Sequence, residues 1–391
     1  MSHDRIDLVV ASLEEWDEVW RRNQYLVAGL LRARPAMRVL FVEPPSDPLH
    51  AARSGRRPRR GRGLRRGPAL DGVDGERLWL LEPTKLLPRR VHRGADARLA
   101  RAVVRAAAHL GMDPTLWVND PSAAALLDLV DWPALYDVTD DWTAARRGEA
   151  EGSRLVDNER RLLDGCAEVV VCSPALAERK RGNARLTLVT NGVDLTRYRT
   201  PALRPADLPA GRVALYVGTV HRDRFDVAAC VRTALRLAET GSGAGSATVV
   251  LVGPMLLGDA DRGALRSAGV LLLGSRPYET VPAYLQHADV LLVPHIVDAF
   301  TDSLDPIKAY EYRAVGRPIV ATPVAGFREG GSSAVVVSPA EDFASAVAEV
   351  LARTPGAGLG PIDACLPTWD TQVNLVGEVL DRIRRRSPTP G

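Results

Sequence analysis

The chain has 391 residues, 46% hydrophobic and 25% charged, which is enough for two domains with a core each. No apolar run approaches the ~20 residues of a transmembrane helix. The N-terminal MSHDRIDLVV lacks the regions of a signal peptide, so a cytoplasmic protein is expected. The formal net charge of +3 is uneven. RSGRRPRRGRGLRR, residues 53–66, holds eight arginines and no acid, so the remainder is net acidic.

Taken in order, the predicted elements alternate between strand and helix. DLVVAS (7–12) reads as a buried strand, residues 19–31 have helical spacing, and RVLFVEP (38–44) is the next strand. After the arginine-rich stretch come RLWLLEP (77–83) and an Ala/Arg/Leu helix over 96–109. TLWVNDP (115–121), ALYDVTDD (134–141), EVVVCS (168–173) and LTLVTN (186–191) follow. Periodicity lapses over TRYRTPALRPADLPAGR (196–212), a linker or hinge by its prolines and glycine. Strands then resume at 213–219, 248–254, 270–275, 289–295, 318–323 and 334–338, with helices between them and a last helix over 370–386. Short apolar runs alternating with helices imply parallel sheets covered on both faces, in two doubly wound domains. Such sheets bind ligands beyond the carboxyl ends of their strands, so a site in a cleft between facing domains is expected. Cys166, Cys172, Cys230 and Cys365 show no metal spacing and read as buried, reduced thiols.

A dinucleotide enzyme would need G-x-G-x-x-G after a first strand. LEEWDEVW follows the first strand and VHRDRFD the strand at 213–219, and neither is that fingerprint. TDSLDPIKAYEYRAVGRPIVAT (301–322) is more informative. A turn entering a helix N-terminus suits an anion. Pro306 fits a first helical position, with Asp305 or Ser303 as cap. Lys308 is a point charge for phosphate. Glu311 lies three residues on, along the same face, where a carboxylate can accept from a ribose diol. The bland reading is an exposed Lys–Glu pair.

PIKAYEYRAVGRPIVAT resembles the donor-binding segment of GT-B glycosyltransferases of the retaining family 4 type. VTNGVDLTRY (189–198), YVGTVHRDRFD (216–226), LLGSRPYETVPAYLQHADVLLVP (272–294) and WDEVWRRNQYL before RVLFVEPP agree in order. The nearest resemblance is to the bacterial branch of teichuronic-acid and exopolysaccharide glycosyltransferases. It implies two Rossmann-like domains facing across a cleft, an acceptor-binding one at 1–200 and a nucleotide-sugar-binding one at 201–369, with the 370–391 helix packing back on the first. It implies a sugar transferase using a UDP-, GDP- or dTDP-linked donor and no cofactor or metal. The acceptor would be a glycan, a lipid-linked sugar or a small natural product. By the same resemblance Glu311 binds the donor ribose, and Lys308, Ser303 and the Leu304 amide meet the diphosphate. Arg276, Pro277 and Tyr278 flank the base, and Gly218 and Thr219 bring backbone to the phosphates.

Two departures fall near the leaving phosphate. The acid usual eight residues before the ribose glutamate is Ser303 here, with Asp302 favoured over Asp298 and Asp305 as its substitute. The usual cation pair after the first strand of the second domain is altered, and Arg222 and Arg224 are the nearest cations. On the acceptor side, Trp16, Trp20 and Trp142 stand past strand ends and are candidates to stack on sugars, with Asp17, Asn119, Asp120 and Asp141 as polar partners. DVTDDW (137–142) can be read as a metal site, as acceptor contacts, or as a helix cap. Retention follows from the resemblance, whereas inversion needs a protein base, for which Glu14, Glu15, Asp17 and Asp141 are candidates. Two other readings stand beside transfer: an epimerase or phosphorylase on the same fold, and a non-catalytic sugar-nucleotide binder. The 53–66 arginines read as a mobile loop that attracts anionic lipid at the inner membrane face or a phosphate-bearing acceptor. Without interleaved aromatics they do not read as a nucleic-acid patch.

Overall fold

A computed structural model describes residues 5–55, 57–86, 94–141, 149–183, 185–240, 246–298, 301, 304–328, 334–353, 360 and 365–386. Packing divides the chain into two units, Met1–Thr190 with Trp369–Gly391, and Asn191–Thr368.

The first unit is built on an eight-stranded sheet. Its strands are β1 (Ile6–Ala11), β2 (Met37–Val42), β3 (Gly63–Arg66), β4 (Leu78–Glu82), β5 (Pro114–Val118), β6 (Ala134–Val138), β7 (Glu168–Val171) and β8 (Leu186–Leu188). Their order is β3-β4-β2-β1-β5-β6-β7-β8, parallel throughout except for β3 on β4. The central strands are apolar runs buried on both faces, as a covered parallel sheet requires. The helices are α1 (Arg22–Ala33), α2 (Pro48–Arg53), α3 (Ala95–His109), a 3-10 turn at Pro121–Asp128, α4 (Glu149–Gly165) and α5 (Pro174–Arg179).

β3 overturns the expectation of a mobile arginine loop. Arg62 Nε donates to Glu82 at 2.6 Å, Arg65 donates to Glu43 at 2.7 Å, and Arg59 pairs with Glu82 at 2.5 Å. Glu43 and Glu82 are each 1% exposed, so these guanidiniums neutralise carboxylates that burial would otherwise penalise. Arg66 lies over the Trp79 ring and pairs with Glu76.

The second unit carries α6 (Leu195–Arg199), β9 (Arg212–Val217), β10 (Val220–His221), α7 (Val227–Thr240), β11 (Ala247–Val252), β12 (Met255–Leu256) and α8 (Asp259–Ser267). It continues with β13 (Leu271–Gly274), α9 (Val281–Gln286), β14 (Val290–Val293), α10 (Ile307–Val315), β15 (Ile319–Ala321), β16 (Val335–Val337) and α11 (Phe343–Arg353). The six-stranded sheet runs β13-β11-β9-β14-β15-β16, parallel throughout. The expected break at residue 200 moves to 190, because Val193 and Tyr198 are buried in the core of the second unit. The sequence 196–212 is therefore not a free linker along its whole length.

The last described element is α12 (Trp369–Arg386), which belongs to the first unit. Trp369 stacks on Tyr25 of α1 at 4.3 Å, and Arg34 holds Asp381 at 2.6 Å. Cys166, Cys172 and Cys230 are buried, but Cys365 is exposed, contrary to expectation. Among the described residues no helix is long and apolar enough to cross a membrane.

Candidate functional site

In each sheet the strand order reverses beside the first strand of its unit, between β1 and β5 and between β9 and β14. A crevice opens at the carboxyl ends of such a pair. In the second unit the residues beyond those ends are Gly218 after β9 and His295 after β14. α10 brings Lys308 to the same place. Lys308 Nζ donates to the Tyr216 hydroxyl at 2.8 Å, lies 4.0 Å from that ring's centroid, and is 3.4 Å from His295 Nε2. Gly218 has φ +144°, and a Cβ there would lie 2.8 Å from Lys308 Nζ, so glycine is what lets the ammonium approach the backbone.

α10 forms as its sequence suggests, with one change at its start. Ala309, Tyr310, Tyr312, Ala314 and Val315 are buried, leaving Lys308 and Glu311 together on the half-buried face. Pro306 is the cap position itself rather than the first helical residue, and no side chain caps the helix. Asp305 instead accepts from the Asn191 amide at 2.5 Å and from the Tyr310 hydroxyl at 2.7 Å, fixing the turn. The Tyr312 hydroxyl accepts from the Val217 amide at 2.9 Å, tying α10 to the end of β9. Gly316, at φ +68°, closes the helix in the left-handed conformation.

The electrostatics of this cluster are unusual for a lysine, a histidine and a glutamate. Burial, then the charge of Arg224, pushes the Lys308 ammonium down to about 7, against the pull of Glu311. His295 is held well below its ordinary value by burial and by Lys308 and Arg224, so it is neutral. Glu311 is raised by burial, and the Tyr198 hydroxyl, donating to Glu311 Oε1 at 2.5 Å, opposes the rise together with Lys308 and Arg197. Cations crowded in a low-dielectric pocket are relieved by a bound anion.

The other predicted donor residues divide. Arg224, on the turn before α7, is the cation that Lys308 and His295 feel. Arg222, largely exposed, pairs with Asp261 at 3.2 Å. Thr219 contributes its carbonyl, which accepts from Tyr216 at 3.2 Å. Arg276 is bound to Asp207 at 2.6 Å and to the Leu273 carbonyl at 2.6 Å, a staple within the unit rather than a hand open to a base. Tyr278 sits under the Arg197 guanidinium at 4.5 Å, and Pro277 beside it is exposed. Leu304 is half-buried ahead of α10. Asp302 and Ser303 lie outside the described residues, as does Trp142.

The acceptor candidates of the first unit are largely committed to its own architecture. Trp16 is 8% exposed and packs edge-on against Phe41 at 5.0 Å, so its face serves the core and not a sugar. Trp20, half-buried, meets Tyr25 edge-on at 5.2 Å. Asp17 holds Arg21 at 2.9 Å, Asp120 caps the 3-10 turn through the Ser122 amide, and Asp141 pairs with Arg179. Asn119 is buried, accepting from Asn23 at 2.7 Å and donating to the Asp137 carbonyl at 3.1 Å. Asp137, read as a metal candidate, is fully buried against Arg22 at 3.2 Å and Trp117 Nε1 at 3.3 Å. Among the described residues no group of three His, Cys, Asp or Glu is placed to hold a metal ion. Glu14 differs from its neighbours: burial, with Asp140 and Asp17, raises it to about 7 despite Arg21.

Reasoning from sequence missed Tyr216, Tyr198 and His295. One signal was available. The chain has three lysines among its many arginines, Lys85, Lys180 and Lys308. Lys85 pairs with Asp47 at 2.8 Å and Lys180 with Glu159 at 3.0 Å, whereas Lys308 meets a phenol and an imidazole.

Residues 211–353 match the family described as glycosyl transferases group 1. A protein of Bacillus subtilis (strain 168) assigned to teichuronic acid biosynthesis as the glycosyltransferase TuaH is 24% identical over 231 residues. The match covers 53% of this chain and 55% of that protein, so the chain spans about half the length of the curated relative it matches. Two solved structures share the fold over nearly the whole chain. WaaG, a glycosyltransferase involved in lipopolysaccharide biosynthesis, has TM-score 0.61 and 13% identity, over 98% of this chain and 100% of its own. The E. coli trehalose-6-phosphate protein bound with UDP-2-fluoro glucose has TM-score 0.60 and 12% identity, over 97% of this chain and 96% of its own. The chain has the GT-B fold of these glycosyltransferases.

Proposed function

We propose that the protein transfers a sugar from a nucleoside-diphosphate sugar to an acceptor hydroxyl. The observation that carries this is the meeting of Lys308, Gly218, neutral His295 and Arg224 at the carboxyl end of the second sheet, with Glu311 one helical turn away. The ammonium and the amides of the α10 turn meet the diphosphate, and Glu311 accepts from the ribose. As the bond from the anomeric carbon to the phosphate oxygen breaks, charge accumulates on the leaving diphosphate. Lys308 and Arg224 stabilise it there without reorganising, which is where electrostatic catalysis is strongest. In the retaining version a leaving-phosphate oxygen takes the acceptor's proton. The group 1 domain and a neighbour bound to a UDP sugar support a nucleotide donor. Relatives assigned to teichuronic acid and lipopolysaccharide biosynthesis support a glycan or lipid-linked acceptor.

Inversion is a second reading, favoured by Glu14. A carboxyl raised to about 7 is suited to general base chemistry, although Glu14 itself pairs with Arg21 at 3.7 Å and is partly exposed.

The test is a panel of UDP-, GDP- and dTDP-sugars with and without glycan and lipid-linked acceptors, with the anomeric configuration of the product read by NMR. Donor consumed equally without acceptor overturns transfer in favour of an epimerase. No donor consumed, with nucleotide still bound, leaves a binding protein. Peripheral attachment to anionic membrane is also proposed, through Arg53, Arg57 and Arg60, all exposed. Unchanged co-sedimentation of the triple serine variant with anionic vesicles at low salt would rule it out.

A further inference from the structure

Lys308 and Glu311 are each met by a phenol from outside α10. Tyr216 comes from β9 and is fully buried, and Tyr198 comes from α6 and is 1% exposed. Burial holds both phenols protonated at neutral pH, so the hydrogen-bond roles are fixed by chemistry. In its ammonium form Lys308 only donates, so the Tyr216 oxygen then accepts from it at 2.8 Å. The Tyr216 proton is then left for the Thr219 carbonyl at 3.2 Å or His295 Nε2 at 3.3 Å. The same ring lies under the ammonium at 4.0 Å, adding a cation–π attraction. Conversely, a carboxylate only accepts, so Tyr198 donates to Glu311 Oε1 at 2.5 Å, and among the described residues no hydrogen bond is made to Oε2.

We propose that Tyr216 and Tyr198 are positioning residues that present Lys308 and Glu311 separately, Tyr216 setting the diphosphate contact and Tyr198 the ribose contact. The proposal rests on the reading of Lys308 and Glu311 as donor-binding groups. Each tyrosine solves a different problem. A long lysine in a pocket of cations would swing away from Arg224, and Tyr216 holds it against Gly218. A glutamate raised by burial would take up a proton, and Tyr198 favours its ionised form. Because the two phenols belong to different elements, the two contacts are separable by mutation.

Two substitutions, Tyr216→Phe and Tyr198→Phe, remove the hydroxyls and keep the packing. The first measurement is made on the full chain without nucleotide. With three lysines, Lys308 is assignable in protein labelled at lysine Cε, and the glutamate carboxyls are followed the same way. The groups facing Lys308 are Arg224, His295, Tyr216 and Glu311, and those facing Glu311 are Tyr198, Lys308, Arg197, Tyr278 and Tyr312. Tyr216→Phe is expected to lower the Lys308 midpoint while Lys85 and Lys180 stay in place. Tyr198→Phe is expected to raise the Glu311 midpoint. A purely packing role moves neither, and an unmoved midpoint overturns the assignment for that tyrosine.

The second measurement is calorimetry with pyrophosphate and with whichever of UDP, GDP and dTDP the wild type binds best. Tyr216→Phe is expected to weaken both ligands about 3- to 10-fold, the effect of one hydrogen bond. Tyr198→Phe is expected to weaken the nucleotide by a similar factor and leave pyrophosphate unchanged. Equal losses of both ligands in both variants overturn the division of labour. A wild type that binds none of these ligands sinks the proposed function, and the titrations still decide what the two phenols do.

Discussion

The two strand-order reversals make opposite use of the same topology. Beyond β1 and β5, the Asn119 carboxamide meets Asn23 and Thr139, and the Leu13 amide donates to it. Asn23 also donates to Ser12. Nearby, Arg22 neutralises Asp137, and Arg59, Arg62 and Arg65 neutralise Glu43 and Glu82. Beyond β9 and β14, Lys308, Arg224 and neutral His295 converge, with Glu311 as the nearby acid. Paired buried charge is architecture, since each partner offsets the desolvation of the other. Crowded like charge is retained at a cost in stability, and it is the feature on which the proposed donor site rests.

The comparison breaks most visibly if the first reversal is not structural. Asp137→Ala leaves Arg22 buried without its carboxylate, and stability should fall by about 3–5 kcal/mol in chemical denaturation. Nucleotide affinity of the folded fraction should not change. A variant as stable as the wild type would mean that this pair is no part of what holds the unit together.

The next largest effect belongs to the second reversal. Glu311→Ala should weaken nucleotide binding by about 1.5–3 kcal/mol, the usual range for a hydrogen bond to a charged group. Calorimetry with an unaltered melting transition as control measures it. Unchanged affinity would remove Glu311 from the site.

A subtler distinction lies in pH. The Lys308 ammonium titrates at about 7 in the free protein, and an anion bound beside it raises that value. Nucleotide affinity should therefore fall as pH rises above about 7, by up to tenfold per unit. At pH 8 binding should take up a proton, seen as an enthalpy that changes with the ionisation heat of the buffer. The sign for stability is opposite to that of an ordinary ion-paired lysine. The free protein's lysine is depressed from 10.5, so between about 7 and 10.5 the unfolded chain binds more protons and stability rises with pH. A buffer-independent binding enthalpy would show that Lys308 does not change its charge on binding.

The smallest expected effect is none. Asp137 and Asp141 are engaged by arginines, so transfer activity is expected to survive EDTA. Loss with EDTA and recovery with manganese would place a metal where this comparison places ion pairs.

Much of this was legible before any coordinates. Apolar runs of strand length between turn residues placed the sheet strands of both units within a few residues, β3 apart, because burial on both faces leaves few other sequences possible. Lys308 and Glu311 were legible because their spacing on one helix face is a local property. β3 was not, because GLRR has no strand pattern of its own and is held by Glu43 and Glu82 from other strands. Trp16 was misjudged for a related reason: its place after β1 says nothing of Phe41, which packs against it.

By itself, then, the sequence determined two tandem parallel α/β units and the helix carrying a cation and an acid three residues apart, because period, burial and turn chemistry act over a few residues. Only the tertiary structure decided which charges meet an opposite charge and which meet a phenol or an imidazole. That depends on partners far apart in the chain, such as Tyr216 for Lys308, Tyr198 for Glu311 and Glu82 for Arg62, and no local pattern records a distance between them.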